Sequence, residues 1–289
     1  MSDRLDRALV ARGLASSRTQ AQLLVRDGLV RVGGQTVRRP AHPVAAEDDV
    51  RVEGSGDGTE SAWVRRGWVG RGAVKLAHAL EAWPEVGARV PGRRALDVGA
   101  STGGFTQVLL ERGAQRVVAL DVGHGQLSPV LREDPRVEDR PGISVRDATP
   151  GSLGGPFEVV VADLSFISLS VVLEQIAGLA APGADLVLLV KPQFEVGAQA
   201  LGRGGVVRSP AQRERVLRQL DVQAPQHGLS PQDLLLSPLR GASGNVEYLW
   251  WLRRCAHPGP CPGGGGMMGC APGRTGMAAL IRARAQEDG

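Results

Sequence analysis

Lysine is nearly missing from this chain. Of its 34 basic residues 32 are arginine, and the lysines stand at only two positions, 75 and 191. Arginine stays protonated at physiological pH, whereas a lysine can give up its proton where its surroundings disfavour the charge. A bias that spared Lys75 and Lys191 singles them out. Long apolar runs are missing too: nothing approaches the roughly 18 continuous apolar residues of a membrane span. The start, "MSDRLDRALVARG", is charged throughout and lacks the apolar core of a signal peptide. A cytoplasmic protein is expected. Cysteine is scarce: Cys255, Cys261 and Cys270 all fall in the last 35 residues, near His257. Their spacing fits no tight zinc pattern and their odd number argues against a disulfide framework. They read as unpaired thiols, and no metal site is expected.

What is present is enough for a full α/β core and a second, smaller module. The net charge of +4 hides how the bases are placed. Residues 1–40 carry eight Arg against three Asp, and residues 61–94 carry seven basic residues against two acidic ones. Such clustering suggests a polyanion, nucleic acid foremost. The alternative is a solvated, arginine-rich surface.

Leu5, Ala8 and Leu9 recur at helical spacing up to Gly13, and Ser17–Gln20 reads as a capping box opening a second helix that stops at Gly28. "LVRVGGQTV" then alternates around a glycine pair, a hairpin signal, and "DDVRVEG" supplies another strand. Residues 1–53 thus form a small α+β unit. Residues 54–70 read as a linker, flexible where Gly and Ser dominate. A helix carrying Lys75 follows, closed by Pro84. From Arg94 strands and helices alternate, which predicts a doubly wound, Rossmann-like parallel sheet. The expected strands are "RALDVG", "RVVALDVG", "ISVRDA", "FEVVVADLS" and "ADLVLLVKP", with "DLLLSPL" and "NVEYLWWLRR" pairing antiparallel at the end. This domain runs from 71 to 254. In residues 255–289 Gly and Pro supply 13 of 35 positions, so a disordered tail is expected.

The stretch "ALDVGASTGGFT" carries a glycine turn between the first strand and its helix. A dinucleotide fold needs a second glycine where the backbone meets the pyrophosphate. Ser101 stands there instead, and Asp97 at the strand end repels a pyrophosphate but suits a cation. The turn fits the methionine part of S-adenosylmethionine. Asp121, ending the second strand, is placed for ribose hydroxyls and Asp147, ending the third, for the adenine amine; otherwise both merely cap turns.

Ligands of such sheets sit at the carboxyl ends of the strands. Asp163 ends the fourth strand and Lys191 the fifth, so both face the crevice at Gly99; Lys75 and Glu247 reach it from the sides. Two lysines and two carboxylates suit methyl transfer to a ribose 2′-hydroxyl, which needs its proton removed or its developing charge stabilised. A lysine beside a second ammonium and partly desolvated is expected to have a lowered pKa. The alternative is a pair of structural salt bridges.

At this point the sequence resembles the TlyA (haemolysin A-like) ribosomal RNA 2′-O-ribose methyltransferases of the FtsJ/RrmJ-like group. The matching stretches run in order from "RLDRALVARGLASSRTQAQLLVRDGLVRVGG" through "GRGAVKL", "LDVGASTGGFT", "ALDVG", "DLSFISL", "LVKPQFE" and "GRGGVVR" to "SGNVEYLWWL". The first is similar to the S-four RNA-binding module. The resemblance implies a catalytic tetrad at Lys75, Asp163, Lys191 and Glu247. It implies cofactor contacts at Gly99, Ser101, Gly103, Gly104, Phe105, Asp121 and Asp147, with S-adenosylmethionine as cofactor. The implied substrate is cytidine ribose in the rRNA of one or both ribosomal subunits. Arg4, Arg18, Arg26, Arg31, Arg65, Arg66 and Arg71 are the expected RNA contacts, and no obligatory protein partner is evident. Two features depart from the family: Ser144 stands where members carry Asn, and the tail after Arg254 has no counterpart. Competing readings are an inactive RNA-binding assembly factor and, from the family's older name, a membrane-damaging cytolysin.

Overall fold

The computed structural model describes residues 2–15, 18–26, 28–52, 63, 66–197, 201, 204–241, 243–256 and 274–287. Strands β1 (Asp3–Arg4) and β4 (Pro43–Val44) pair antiparallel, flanking helices α1 (Leu5–Ala11) and α2 (Arg18–Arg26). Strands β2 (Val30–Val32), β3 (Gln35–Thr36) and β5 (Val50–Val52) form a three-stranded sheet centred on β2. Leu5, Ala8 and Leu9 are buried, as their helical spacing requires, and so are Val30 and Val50. The hairpin turns at Gly33–Gly34. Ser17, the proposed cap of α2, lies outside the described residues.

The expected linker at 54–70 is corrected over its second half. Trp63 and Trp68 are buried. The Trp68 indole N–H donates to the Glu111 carboxylate at 3.0 Å, and the Val69 N–H donates to Gln107 Oε1 at 2.9 Å. Residues 54–62, 64 and 65 lie outside the described residues.

Helix α3 (Gly72–Ala82) leads into a seven-stranded sheet. Its strands are β6 (Arg94–Val98), β7 (Arg116–Asp121), β8 (Val137–Pro141), β9 (Phe157–Ala162), β10 (Ala180–Val190), β11 (Leu229–Leu236) and β12 (Tyr248–Arg254). The order across the sheet is β11-β12-β10-β9-β6-β7-β8. β8, β7, β6, β9 and β10 run parallel, and β12 lies antiparallel between β10 and β11. The order reverses between β6 and β9, so a crevice opens beyond their carboxyl ends. Helices α4 (Gly104–Glu111), α5 (Leu169–Leu179) and α6 (Pro210–Gln223) complete the layers. β6, β7, β9 and β10 bury both faces, as their continuous apolar sequences demand.

Two expectations fail here. The third strand is Val137–Pro141, not "ISVRDA". Its charged sequence VEDRP survives because β8 is the sheet's edge and is only half-buried. Asp147 therefore does not end a strand; it lies exposed in a turn. The tail is not disordered throughout: Arg274–Gln286 form helix α7, with Met277, Ile281 and Ala285 buried. Arg213, itself buried, donates from Nε and Nη2 to the Ala285 carbonyl at 3.1 and 2.9 Å. Residues 257–273 lie outside the described residues. Cys255 is disulfide-bonded, which corrects its reading as a free thiol.

Candidate active site

The glycine turn is held by contacts that only glycine permits. Gly99 has φ +82°, and a Cβ there would lie 2.7 Å from the Asp163 carbonyl oxygen. Strands β6 and β9 thus end shoulder to shoulder, which the Asp163 N–H seals by donating to the Val98 carbonyl at 3.0 Å. A Cβ at Gly104 would sit 2.8 Å from the Ala73 nitrogen. The missing side chain lets α3 lie against the turn and brings Lys75 over the strand ends.

Lys75 Nζ donates to Glu247 Oε2 at 2.7 Å and lies 3.9 Å from Asp163 Oδ2. Lys191 Nζ pairs with Asp163 Oδ1 at 2.6 Å and donates to Ser165 Oγ at 2.9 Å. One carboxylate therefore bridges both lysines, and the four residues expected from sequence come together. Lys75, Lys191 and Glu247 are all buried. Burial pushes against the Lys75 ammonium, but Asp163 and Glu247 outweigh it and raise its pKa above the ordinary lysine value. The expected lowering is therefore wrong for Lys75: it is held as a cation. Burial likewise pushes Asp163 up, and Lys75 and Lys191 together bring it below the usual carboxylate range.

The crevice has two lobes that share Gly99, Ser101, Asp163, Ser165 and Phe166. One, of about 520 Å³, holds the four charged residues with Gly104, Phe105, Arg71 and Arg240. The other, of about 540 Å³, runs along Val98, Leu120 and Asp121 to Ile143, Ser144 and Val145. Ser101 has φ +49° and donates its N–H to Asp121 Oδ2 at 2.8 Å, while the Gly123 N–H donates to Asp121 Oδ1 at 2.7 Å. The Ser101 amide at the turn is thus already directed at a carboxylate, a poor cradle for a pyrophosphate.

Not every expected residue lines the crevice. Asp97 lies fully buried beneath the turn, accepting a hydrogen bond from Thr106 Oγ1 at 2.7 Å. Burial pushes its carboxyl up to about 7. Gly103, with φ +94°, caps α4 and packs toward Leu127 and Leu131. Asp147 lines neither lobe. Among the arginines, Arg4 and Arg18 pair with the buried Asp6 at 3.0 Å each. Arg26 and Arg31 are exposed on the small module. Arg66 lies 5.0 Å over the Trp68 ring. Arg71 is in the crevice, donating to the Arg240 carbonyl at 2.6 Å. Arg65 lies outside the described residues.

Sequence reasoning missed several neighbours. Ser165 and Phe166 follow Asp163 in "DLSF", and Gln193 follows Lys191 in "KPQF", donating to Glu247 Oε1 at 3.5 Å. Phe166 is 92 % exposed at φ +64°, its ring 5.4 Å from that of Phe194. The buried Asn245 accepts from the Val207 N–H and donates to the Gly205 carbonyl, both at 2.9 Å, so the segment 205–207 is pinned to the strand entry that carries Glu247. Their adjacency to the charged residues was the available signal.

Residues 68–254 match the FtsJ-like methyltransferase family and residues 3–50 match the S4 domain. The chain is 50% identical over 250 residues to the 16S/23S rRNA (cytidine-2′-O)-methyltransferase TlyA of Mycobacterium tuberculosis, covering 86% of this chain and 89% of that protein. It is 34% identical to Hemolysin A of Brachyspira hyodysenteriae, over 85% of this chain and 98% of the relative. A solved structure from Streptococcus thermophilus that carries the name hemolysin superposes with a TM-score of 0.71 at 32% identity, covering 99% of this chain and 96% of the other. The chain belongs to the FtsJ-like methyltransferase family, with an S4 domain ahead of the methyltransferase sheet.

Proposed function

We propose that this protein methylates the 2′-hydroxyl of a cytidine ribose in ribosomal RNA, using S-adenosylmethionine. The observation that carries the reading is the bridging of Lys75 and Lys191 by Asp163 beside the Gly99 turn.

The residues present fit the cofactor. The lobe along Val98, Leu120, Ile143 and Val145 offers apolar walls for a purine, and Asp121 stands where ribose hydroxyls bind. Asp147 is exposed and does not line that lobe. When bound, S-adenosylmethionine supplies an electrophilic methyl group on a sulfonium.

Lys191 accepts the proton of the 2′-hydroxyl, and Asp163 fixes where its Nζ points. Lys75, held as a cation by Asp163 and Glu247, offsets the charge that grows on the ribose oxygen. Arg71 lends positive charge to the same lobe, which suits a phosphodiester entering beside the target sugar. Phe166 offers an exposed aromatic face at the rim, the kind of surface on which an unstacked base lies. Arg26 and Arg31 on the S4 domain provide further phosphate contacts. No helix among the described residues is long and apolar enough to cross a membrane.

The test is incubation of the purified protein with isotopically labelled S-adenosylmethionine and unmodified ribosomal subunits, followed by nucleoside analysis. The reading predicts 2′-O-methylcytidine. Label on a base, or none despite cofactor binding, contradicts it; the second result favours an inactive assembly factor.

A further inference from the structure

We infer that Ser165 is a positioning residue that aims the Lys191 nitrogen at the substrate hydroxyl; this rests on the reading of Lys191 as proton acceptor. The argument is one of valence. A tetrahedral amine nitrogen has four directions, and in Lys191 one is taken by Cε. Ser165 Oγ, accepting at 2.9 Å, defines a second, while Asp163 Oδ1 lies beside the nitrogen as an ion-pair partner at 2.6 Å. The directions left over carry the other protons of the ammonium or, in the amine, a proton and the lone pair. Lys191 lines the crevice, with the Phe194 ring centroid 5.9 Å from Nζ, and the direction set by Ser165 decides which of the others faces the substrate lobe.

The two lysines differ in just this respect. Lys75 has carboxylates for both its partners, at 2.7 and 3.9 Å, and these favour a fixed cation. Lys191 has one carboxylate and one neutral hydroxyl. A hydroxyl oxygen accepts from an amine as well as from an ammonium. It therefore keeps the nitrogen oriented after a proton has left, without adding a second negative charge to hold that proton in place. When the O2′–H bond breaks, its proton goes to the Nζ lone pair, and the contacts to Asp163 and Ser165 persist through the change. Ser165 lies on the shared wall of both lobes, beside the exposed Phe166, so it stands where the target ribose and the cofactor meet.

The experiment compares full-length wild type, Ser165→Ala and Ser165→Thr on ribosomal subunits. It measures kcat and KM for RNA, cofactor Kd by calorimetry, and melting temperature. Ser165→Ala is expected to lower kcat by roughly tenfold or more, with KM, Kd and melting temperature close to wild type. Ser165→Thr, which keeps the hydroxyl, is expected to recover most of kcat. An unchanged kcat in Ser165→Ala overturns the role, as does a Thr variant no better than Ala. Parallel losses in kcat and cofactor Kd also overturn it, since Ser165 would then be a cofactor contact. Wild type separates the two claims: if it transfers no methyl group, the underlying reading fails, whereas equal kcat in wild type and Ser165→Ala removes only Ser165.

Discussion

The proposed reaction centre and the S4 domain use the same kinds of charge to opposite ends. In that centre Lys75, Lys191 and Glu247 are buried and meet the partly exposed Asp163, which is shared between both bases. In the S4 domain the buried Asp6 gathers Arg4 and Arg18, whose side chains remain 42% and 51% exposed. Gln22 Nε2 also donates to Asp6, at 2.9 Å. Burial pushes the Asp6 carboxyl up, but bonds from Arg4, Gln22 and Arg18 outweigh it and hold it well below the usual range. Enclosed charges become reagents because water no longer screens them. Charges anchored at one end and wet at the other remain available to a polyanion.

The sharpest way to break this contrast is to remove the shared acid. Asp163→Ala should cut turnover by about 10³-fold, measured as methyl incorporation at saturating cofactor, while RNA affinity stays near wild type. A loss under tenfold would mean that the two lysines do not depend on their bridge.

The next effect concerns two buried acids with opposite pH signatures. The folded pKa of Asp97 is raised to about 7, so its ionisation opposes folding as pH rises from about 4 to 7. That opposition approaches about 4 kcal/mol at pH 8. In cofactor-free protein, Asp97→Asn should therefore gain stability relative to wild type across that range, read as a melting-temperature difference that grows with pH. A difference flat in pH would remove the raised carboxyl. Asp6 is depressed instead, so its contribution is present above the ordinary carboxylate pKa and is lost as pH falls toward the folded value.

Smaller still, Asp6→Asn should destabilise the S4 domain by about 2 kcal/mol and weaken RNA binding, because Arg4 and Arg18 lose their anchor. Thermal melting and filter binding report the two effects; unchanged RNA affinity would make Asp6 a folding residue alone. The mildest change is Arg26→Ala or Arg31→Ala. Each should raise KM for RNA severalfold, lower the slope of log K against log salt by about one, and leave kcat alone. A change in kcat would place these arginines in the chemistry.

Much of this arrangement was legible in the sequence, for reasons that differ by element. β6, β7, β9 and β10 declare themselves as apolar runs because both their faces are buried. The turn was readable because Gly99 and Gly104 occupy places closed to a side chain. The edge strand β8 was not: VEDRP carries no apolar pattern, and the neighbouring "ISVRDA" looked more strand-like, which misplaced Asp147. Helix α7 was hidden by averaging composition over the whole tail. Within "MAALIRARAQ" good helix formers place Met277, Ile281 and Ala285 on one face, a pattern available to closer reading. The charge state of Lys75 was out of reach, because it depends on Glu247, 172 residues away, and on Asp163.

The central claim, that a lysine bound to Asp163 takes the proton of a ribose hydroxyl, is tested most directly by Lys191→Ala, with turnover and cofactor affinity measured on one preparation. The account predicts that methyl transfer to rRNA disappears while the Kd for S-adenosylmethionine stays within a few-fold of wild type. Turnover equal to wild type in that variant would contradict it.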